Sequence, residues 1–65
     1  MEDFKKRLKV EREELNNKII KLGQFVNSDK FKTLDDENRT LLLLQHYMMN
    51  QYLEVLDKRI SLLIK

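Results

Sequence analysis

The segment from Asn38 to Ile64 carries more apolar side chains than one partner helix can cover. Helical spacing arranges these side chains in three neighbouring rows: Leu42, Met49, Leu56 and Leu63; Leu41, Met48, Val55 and Leu62; and Leu53 with Ile60. Because residues seven apart lie on the same side of an α-helix, the three rows make a stripe broader than a single packing face. The segment therefore predicts a helix that is covered by a second chain as well as by its own.

A chain of 65 residues forms one domain at most, and it buries too little surface to be very stable alone. The usual aids to small folds are missing, since there is no cysteine for a disulfide and the lone His46 cannot build a zinc site. Self-association is the remaining route to stability. With no proline, one glycine and many Leu, Lys, Glu and Arg residues, the composition favours helix throughout.

Helical periodicity divides the chain into two long helices and a hinge, within a single domain over residues 1–65. The first helix covers about residues 2–26, the hinge residues 27–35, and the second helix about residues 36–64. Helices of similar length joined by a short connection pack antiparallel. The predicted fold class is therefore all-α, an antiparallel two-helix hairpin completed as a homo-oligomeric helical bundle. A two-fold dimer that forms a four-helix bundle is the simplest closure.

The hinge is predicted from turn and capping residues. Asn27 and Ser28 favour a turn, and Ser28 can cap a single helical turn that contains Phe31. Asp35 is a suitable N-cap for the second helix, and Asp36 places negative charge in its first turn, where the helix dipole favours it.

The residue pattern gives no basis for catalysis. His46 has no Ser or Cys nucleophile in a recognisable motif, and the carboxylates around Glu13 and Asp36 lack metal-ligand spacing. We therefore expect a protein that is not an enzyme and has no metal or cofactor. The charged N-terminal segment is unlike a signal peptide, and no window approaches the roughly 18 apolar residues of a membrane span. A cytoplasmic location without membrane contact is expected.

Polar residues interrupt the packing stripe where the two helices are expected to meet. Glu11 falls on the apolar stripe of the first helix, and the antiparallel register places it near Arg59. Two interpretations stay open: a Glu11–Arg59 ion pair that fixes the register, or a ligand pocket at a subunit interface. In such a pocket Arg12 and Arg59 would bind phosphate and Tyr52 would stack on a base. The further candidate ligand-binding residues are Gln45, for a base or ribose, and Lys5 and Lys9, for positive charge at the mouth.

Basic residues between Lys5 and Arg12, together with Lys58 and Arg59, gather at one end of the predicted hairpin. A basic end can attract nucleic acid, but acidic residues alternate with these cations and the net charge is only +2. Aromatic residues are not interleaved with them for base stacking. Nucleic-acid binding is therefore the least favoured of the binding roles.

Five spaced motifs cover nearly the whole chain: E-x-x-E-L-x-x-K-I from Glu11, K-L-x-x-F from Lys21, S-x-x-F from Ser28, L-L-x-x-Q-x-x-x-M-x-x-Y from Leu41 and L-x-x-R-I from Leu56. Together they resemble a family of small helical proteins encoded by tailed bacteriophages, including crAss-like phages. The resemblance implies a helical fold and a phage context, and it transfers no site residues.

A phage context implies an anti-defence role by analogy of size and architecture. Small helical phage proteins include sponges that sequester cyclic or ADP-ribose-derived nucleotide signals of bacterial immunity. The expected function is therefore an oligomeric sponge that binds such a signal in the host cell cytoplasm without turning it over. The alternative is a protein–protein interaction module whose second helix docks on a host or phage protein.

Overall fold

The computed structural model describes residues 2–64, and the side chains of residues 3–63. It contains three helices in the order α1 (Glu2–Val26), α2 (Asp29–Lys32) and α3 (Asp36–Ile64). No strand occurs in this part of the chain, so the predicted all-α class is confirmed. The prediction of one domain over residues 1–65 stays a prediction, because Met1 and Lys65 lie outside the described residues.

The C-terminal end of α1 is closed by polar groups that follow it. The last carbonyls of a helix have no partner within the helix and must find one elsewhere. The side-chain amide of Asn27 donates to the Gly23 carbonyl at 2.9 Å, and the backbone amide of Ser28 donates to the Phe25 carbonyl at 3.0 Å. These two contacts end α1 at Val26 without leaving those carbonyls unpaired.

The short helix α2 is a single turn capped by Ser28. The backbone of Ser28 is extended, with φ −91° and ψ 162°, and its Oγ accepts from the Phe31 amide at 3.4 Å. The same hydroxyl donates to the Phe25 carbonyl at 2.5 Å. The Phe31 ring packs edge-on against Phe25, with ring centroids 6.2 Å apart and planes at 89°. This aromatic pair attaches the turn to the end of α1.

The helix α3 begins at a cluster of acidic residues. The Asp35 carbonyl accepts from the Arg39 amide at 3.0 Å, which is the first helical hydrogen bond. The Asp35 carboxylate accepts from the Asn38 side-chain amide at 2.6 Å, and Asp36 is paired with the Arg39 guanidinium. Asp36 and Glu37 place negative charge in the first turn, where the helix dipole favours it.

The helices α1 and α3 lie side by side, and residues early in α1 meet residues late in α3. Arg12 contacts Asp57, whereas a Cβ added to Gly23 would lie 3.4 Å from Nε2 of His46. The molecule is a rod of 47 × 14 × 13 Å. The buried core consists of Leu8, Leu15, Ile19 and Leu56, with the partly buried Met49, Leu53, Ile60 and Leu63 packed against it.

One apolar row of α3 is left uncovered, and we call it the outer apolar row: Leu41, Met48, Val55 and Leu62. These side chains are between 52% and 67% exposed. They lie on the part of α3 that α1 does not reach, because a single neighbouring helix covers only one side of a helix. Exposed apolar side chains in a contiguous row are typical of an interface.

Candidate functional site

Consecutive residues of α1 point to opposite sides of the seam between α1 and α3. Glu11 and Arg12 are separated by about 100° around the helix axis, and the buried Leu8 and Leu15 lie between those two directions. The hydroxyl of Tyr52 donates to Oε2 of Glu11 on one side, and Arg12 donates to Asp57 on the other. The seam therefore has two distinct polar edges.

We name these edges by their α3 residues. The Tyr52 edge comprises Phe4, Arg7 and Glu11 of α1 with Gln45, Tyr52 and Arg59 of α3. The Asp57 edge comprises Lys5, Lys9 and Arg12 of α1 with Asp57 of α3. Each α1 group has the three- and four-residue spacings that keep side chains on one side of a helix, and on α3 Gln45, Tyr52 and Arg59 recur every seventh residue.

On the Asp57 edge, the Arg12 guanidinium is held by two carboxylates. Its Nε donates to Oδ1 of Asp57 at 2.8 Å, and its Nη1 donates to Oε1 of Glu13 at 3.1 Å. The pKa of Arg12 is raised above its ordinary value, chiefly by the hydrogen bond to Asp57, while desolvation opposes the rise. Lys5 and Lys9 are exposed on the same side of α1. An anion at this edge would compete with carboxylates already bound to Arg12.

On the Tyr52 edge, the hydroxyl of Tyr52 is hydrogen-bonded to α1 while the aromatic ring remains accessible. Tyr52 is 43% exposed and donates its hydroxyl hydrogen to Glu11. Gln45 is exposed one heptad earlier, and its side-chain nitrogen lies 3.9 Å from the Met49 sulfur, a weak contact. One heptad later, Arg59 forms part of a cleft between the two helices.

The cleft has a volume of about 280 Å³. Its walls are Phe4, Arg7, Leu8 and Glu11 from α1 and Arg59 from α3. Its lining thus includes two arginines and one glutamate beside the apolar Phe4 and Leu8. The ion pairs of the described side chains include Arg12 and Arg39 but neither Arg7 nor Arg59.

A larger groove of about 620 Å³ adjoins the cleft and shares Arg7 and Glu11 with it. All of its lining residues belong to α1: Asp3, Lys6, Arg7, Val10, Glu11 and Glu14. A groove lined by one helix has a wall on one side only. Its residues Arg7 and Glu11 belong to the Tyr52 edge. Met48 and Val55 neighbour Tyr52 on the side away from Leu56, so the groove and the outer apolar row lie on the same broad side of the rod.

The structure separates the six residues predicted to bind a ligand into two groups. Tyr52, Arg59 and Gln45 share one edge, whereas Arg12, Lys5 and Lys9 lie on the other, with the buried seam between them. A single chain therefore does not bring Arg12 and Arg59 into one pocket.

The structure also bears on the two interpretations of Glu11 and Arg59. No ion pair joins these two residues among the described side chains, and Glu11 instead accepts from Tyr52 while both residues line the cleft. Sequence reasoning missed Arg7 as a candidate. Arg7 lies four residues before Glu11, and this spacing places both residues on the same side of α1. The spacing alone could have identified Arg7.

The described part of the chain has neither a metal-binding cluster nor a membrane-spanning helix. It contains no group of three or more His, Cys, Asp or Glu residues able to hold a metal ion. None of its helices is both long enough and apolar enough to cross a membrane.

Comparison with known proteins gives a family and a phage relative. The family model described as Sequestin matches residues 2–62. The chain is 40% identical over 58 residues to an uncharacterized 7.5 kDa protein from the denB-rIIB intergenic region of Enterobacteria phage T4, covering 89% of this chain and 91% of that protein. No solved structure matches. These matches support a family of small phage proteins, and the predicted relation to crAss-like phages stays a prediction.

Proposed function

The chain belongs to the Sequestin family, and from this premise we propose that it is a phage anti-defence protein. It acts as an oligomeric sponge that sequesters a nucleotide-derived immune signal in the host cell without catalysis. The family's name denotes sequestration of a molecule, and the T4 relative supports the phage context. The single observation that carries the proposal is the Tyr52 edge, where an accessible aromatic ring and two arginines lie beside the outer apolar row.

The Tyr52 edge has the chemistry to recognise a nucleotide. An arginine guanidinium binds phosphate through paired hydrogen bonds, and an aromatic ring offers a face for a base. Arg59 and Tyr52 lie seven residues apart on α3, hence two turns apart on one side, at a separation of about 10 Å along the axis. This spacing suits a ligand with a phosphate at one end and a base at the other.

The proposal includes self-association. Each copy of the chain would contribute its packed α1–α3 pair, as a helical hairpin, to a homo-oligomeric bundle. The chain exposes 5424 Å², whereas a compact monomer of its mass would expose roughly 4,400 Å². The excess of about 1,000 Å² is close to the roughly 800 Å² that each partner contributes to a standard interface. A second copy on the outer apolar row would cover such an area.

The outer apolar row also supports the alternative function, an interaction module that docks α3 on a host or phage protein. In that case Tyr52 and Arg59 would only border the docking surface. Nucleic-acid binding is less favoured, because Arg12, central to the predicted basic end, is already bound by Asp57 and Glu13.

Calorimetric titration with a panel of cyclic dinucleotides, cyclic trinucleotides and ADP-ribose derivatives tests the proposal. We expect saturable binding to at least one compound, with the ligand recovered chemically unchanged by chromatography afterwards. If no compound binds at a concentration of about 100 µM, the sponge is refuted and the interaction module is favoured. Recovery of a modified ligand would refute the absence of catalysis.

A further inference from the structure

We infer that the cleft between α1 and α3 is the phosphate-binding part of the site, with Arg7 and Arg59 as the phosphate contacts. Glu11 then accepts hydrogen bonds from a ribose hydroxyl or a base amine of the same ligand. The inference rests on the proposed function and deepens it. It assigns a role to Arg7 and removes Arg12 from the site.

The two arginines approach the cleft from different helices. Arg7 comes from α1 and Arg59 from α3, so a bound phosphate would receive donors from both sides. Each guanidinium presents five N–H donors in a rigid plane that matches phosphate oxygens. Arg12, in contrast, already donates to Asp57 and Glu13 on the opposite edge. Binding at the cleft therefore does not require an existing ion pair of Arg12 to be broken.

The cleft is slightly smaller than a typical small-molecule site, and a neighbouring groove offers further space. Its volume of about 280 Å³ lies just below the roughly 300–1,000 Å³ of typical small-molecule sites. The adjoining groove of about 620 Å³ shares Arg7 and Glu11 with it, so a ligand can extend from one into the other. Because this groove has one wall, a second copy seated on the outer apolar row would complete the enclosure.

Glu11 determines which anions the cleft accepts. A carboxylate at the cleft wall repels a simple inorganic anion. It also has about four acceptor positions, and Tyr52 uses one of them. A ligand with hydroxyl or amine donors beside its phosphate can use the others. The chemical class that fits is therefore a nucleotide with a free ribose hydroxyl or base amine, in preference to inorganic phosphate or pyrophosphate.

The test titrates alanine variants with the cyclic nucleotide or ADP-ribose derivative that binds the parent protein most tightly. We expect Arg7→Ala and Arg59→Ala each to weaken binding about 10- to 100-fold, the usual effect of losing a hydrogen bond to a charged group. Arg7→Lys and Arg59→Lys should recover part of the loss, because they keep the charge without the planar pair of donors. If Arg7 and Arg59 had only a structural role, nucleotide affinity would not decrease in the order parent protein, Lys variant, Ala variant.

Two arginines serve as matched controls. Arg39→Ala removes the same charge at the far end of α3, about 30 Å from Arg59, and should leave affinity within about twofold. Arg12→Ala should do the same, because it lies on the Asp57 edge. Helical circular dichroism and the mass from light scattering must match the parent protein for each variant. The Lys variants provide the comparison if an Ala variant fails this check.

Glu11→Gln tests the role of the carboxylate with two probes. The ratio of nucleotide affinity to pyrophosphate affinity should fall, because repulsion of pyrophosphate is relieved while the acceptor for the ligand hydroxyl is weakened. An unchanged ratio would overturn the role of Glu11.

Loss of binding in Arg12→Ala, with Arg7→Ala and Arg59→Ala unaffected, would overturn the cleft and leave the sponge standing. Absence of nucleotide binding by the parent protein would instead refute the proposed function itself.

Discussion

Replacement of Val55 by glutamate should separate the proposed oligomer without unfolding the chain. Val55 is 52% exposed in the single chain, so a partner can still cover about half of its surface. Complete burial of such a side chain is worth about 1.5–3 kcal/mol, and the remaining half is therefore worth about 0.8–1.5 kcal/mol in each copy. Across a two-fold interface the loss is about 2 kcal/mol, before the cost of burying a carboxylate is added.

A loss of about 2 kcal/mol raises the dissociation constant roughly 30-fold. Light scattering over a dilution series would detect this as a shift of the mass transition to higher protein concentration. Leu43→Glu is the matched control, because Leu43 is also 52% exposed but lies about 120° away around α3. If both variants dissociate alike, or if neither changes the mass, the assignment of the outer apolar row as the interface is wrong.

The remaining predictions concern stability and are measured at fixed protein concentration. Leu56→Ala should lower the free energy of unfolding by about 2–5 kcal/mol in urea titrations, because this side chain is fully buried; a cost as small as that of the half-exposed Ile20→Ala, about 1 kcal/mol or less, would contradict the core. Ser28→Ala should cost about 0.5–2 kcal/mol through loss of the α2 cap, and an unchanged midpoint would show that the cap contributes nothing. Gly23→Ala should raise the free energy of unfolding by up to about 1 kcal/mol, and the melting temperature by no more than roughly 4–8 °C, because alanine favours helix and its Cβ would meet only the tip of the His46 side chain. A lower melting temperature would mean that His46 has no room to move.

The helical class and the Ser28 turn could be predicted because each depends on local sequence. Periodic apolar residues indicate helix wherever they occur. The cap arises from Ser28 and Phe31, three residues apart, and needs no information from the rest of the chain. The exposure of Met48 and Val55 followed equally from the width of the apolar stripe compared with one covering helix.

The assembly of the site could not be predicted in the same way. Its geometry depends on how α1 is rotated about its own axis, and charged residues flank the α1 stripe on both sides. Glu11 and Arg12 are neighbours in sequence, so both are near Arg59 in an approximate register. The structure places them on opposite edges, because the packing of Leu8 and Leu15 against α3 fixes the rotation. A rotation of about two-fifths of a turn is enough to exchange Arg7 for Arg12 in a proposed pocket.

The small core links the amount of folded protein to the amount that is synthesised. The four side chains that are buried among residues 3–63 give a single chain little stability of its own, and a partner that binds only the folded state adds stability with the logarithm of its concentration. Each tenfold increase in concentration above the dissociation constant contributes about 1.4 kcal/mol. A protein that captures molecules in fixed stoichiometry must be abundant to act. In the proposed oligomer the same abundance keeps it folded, so its activity should rise steeply above a threshold of expression.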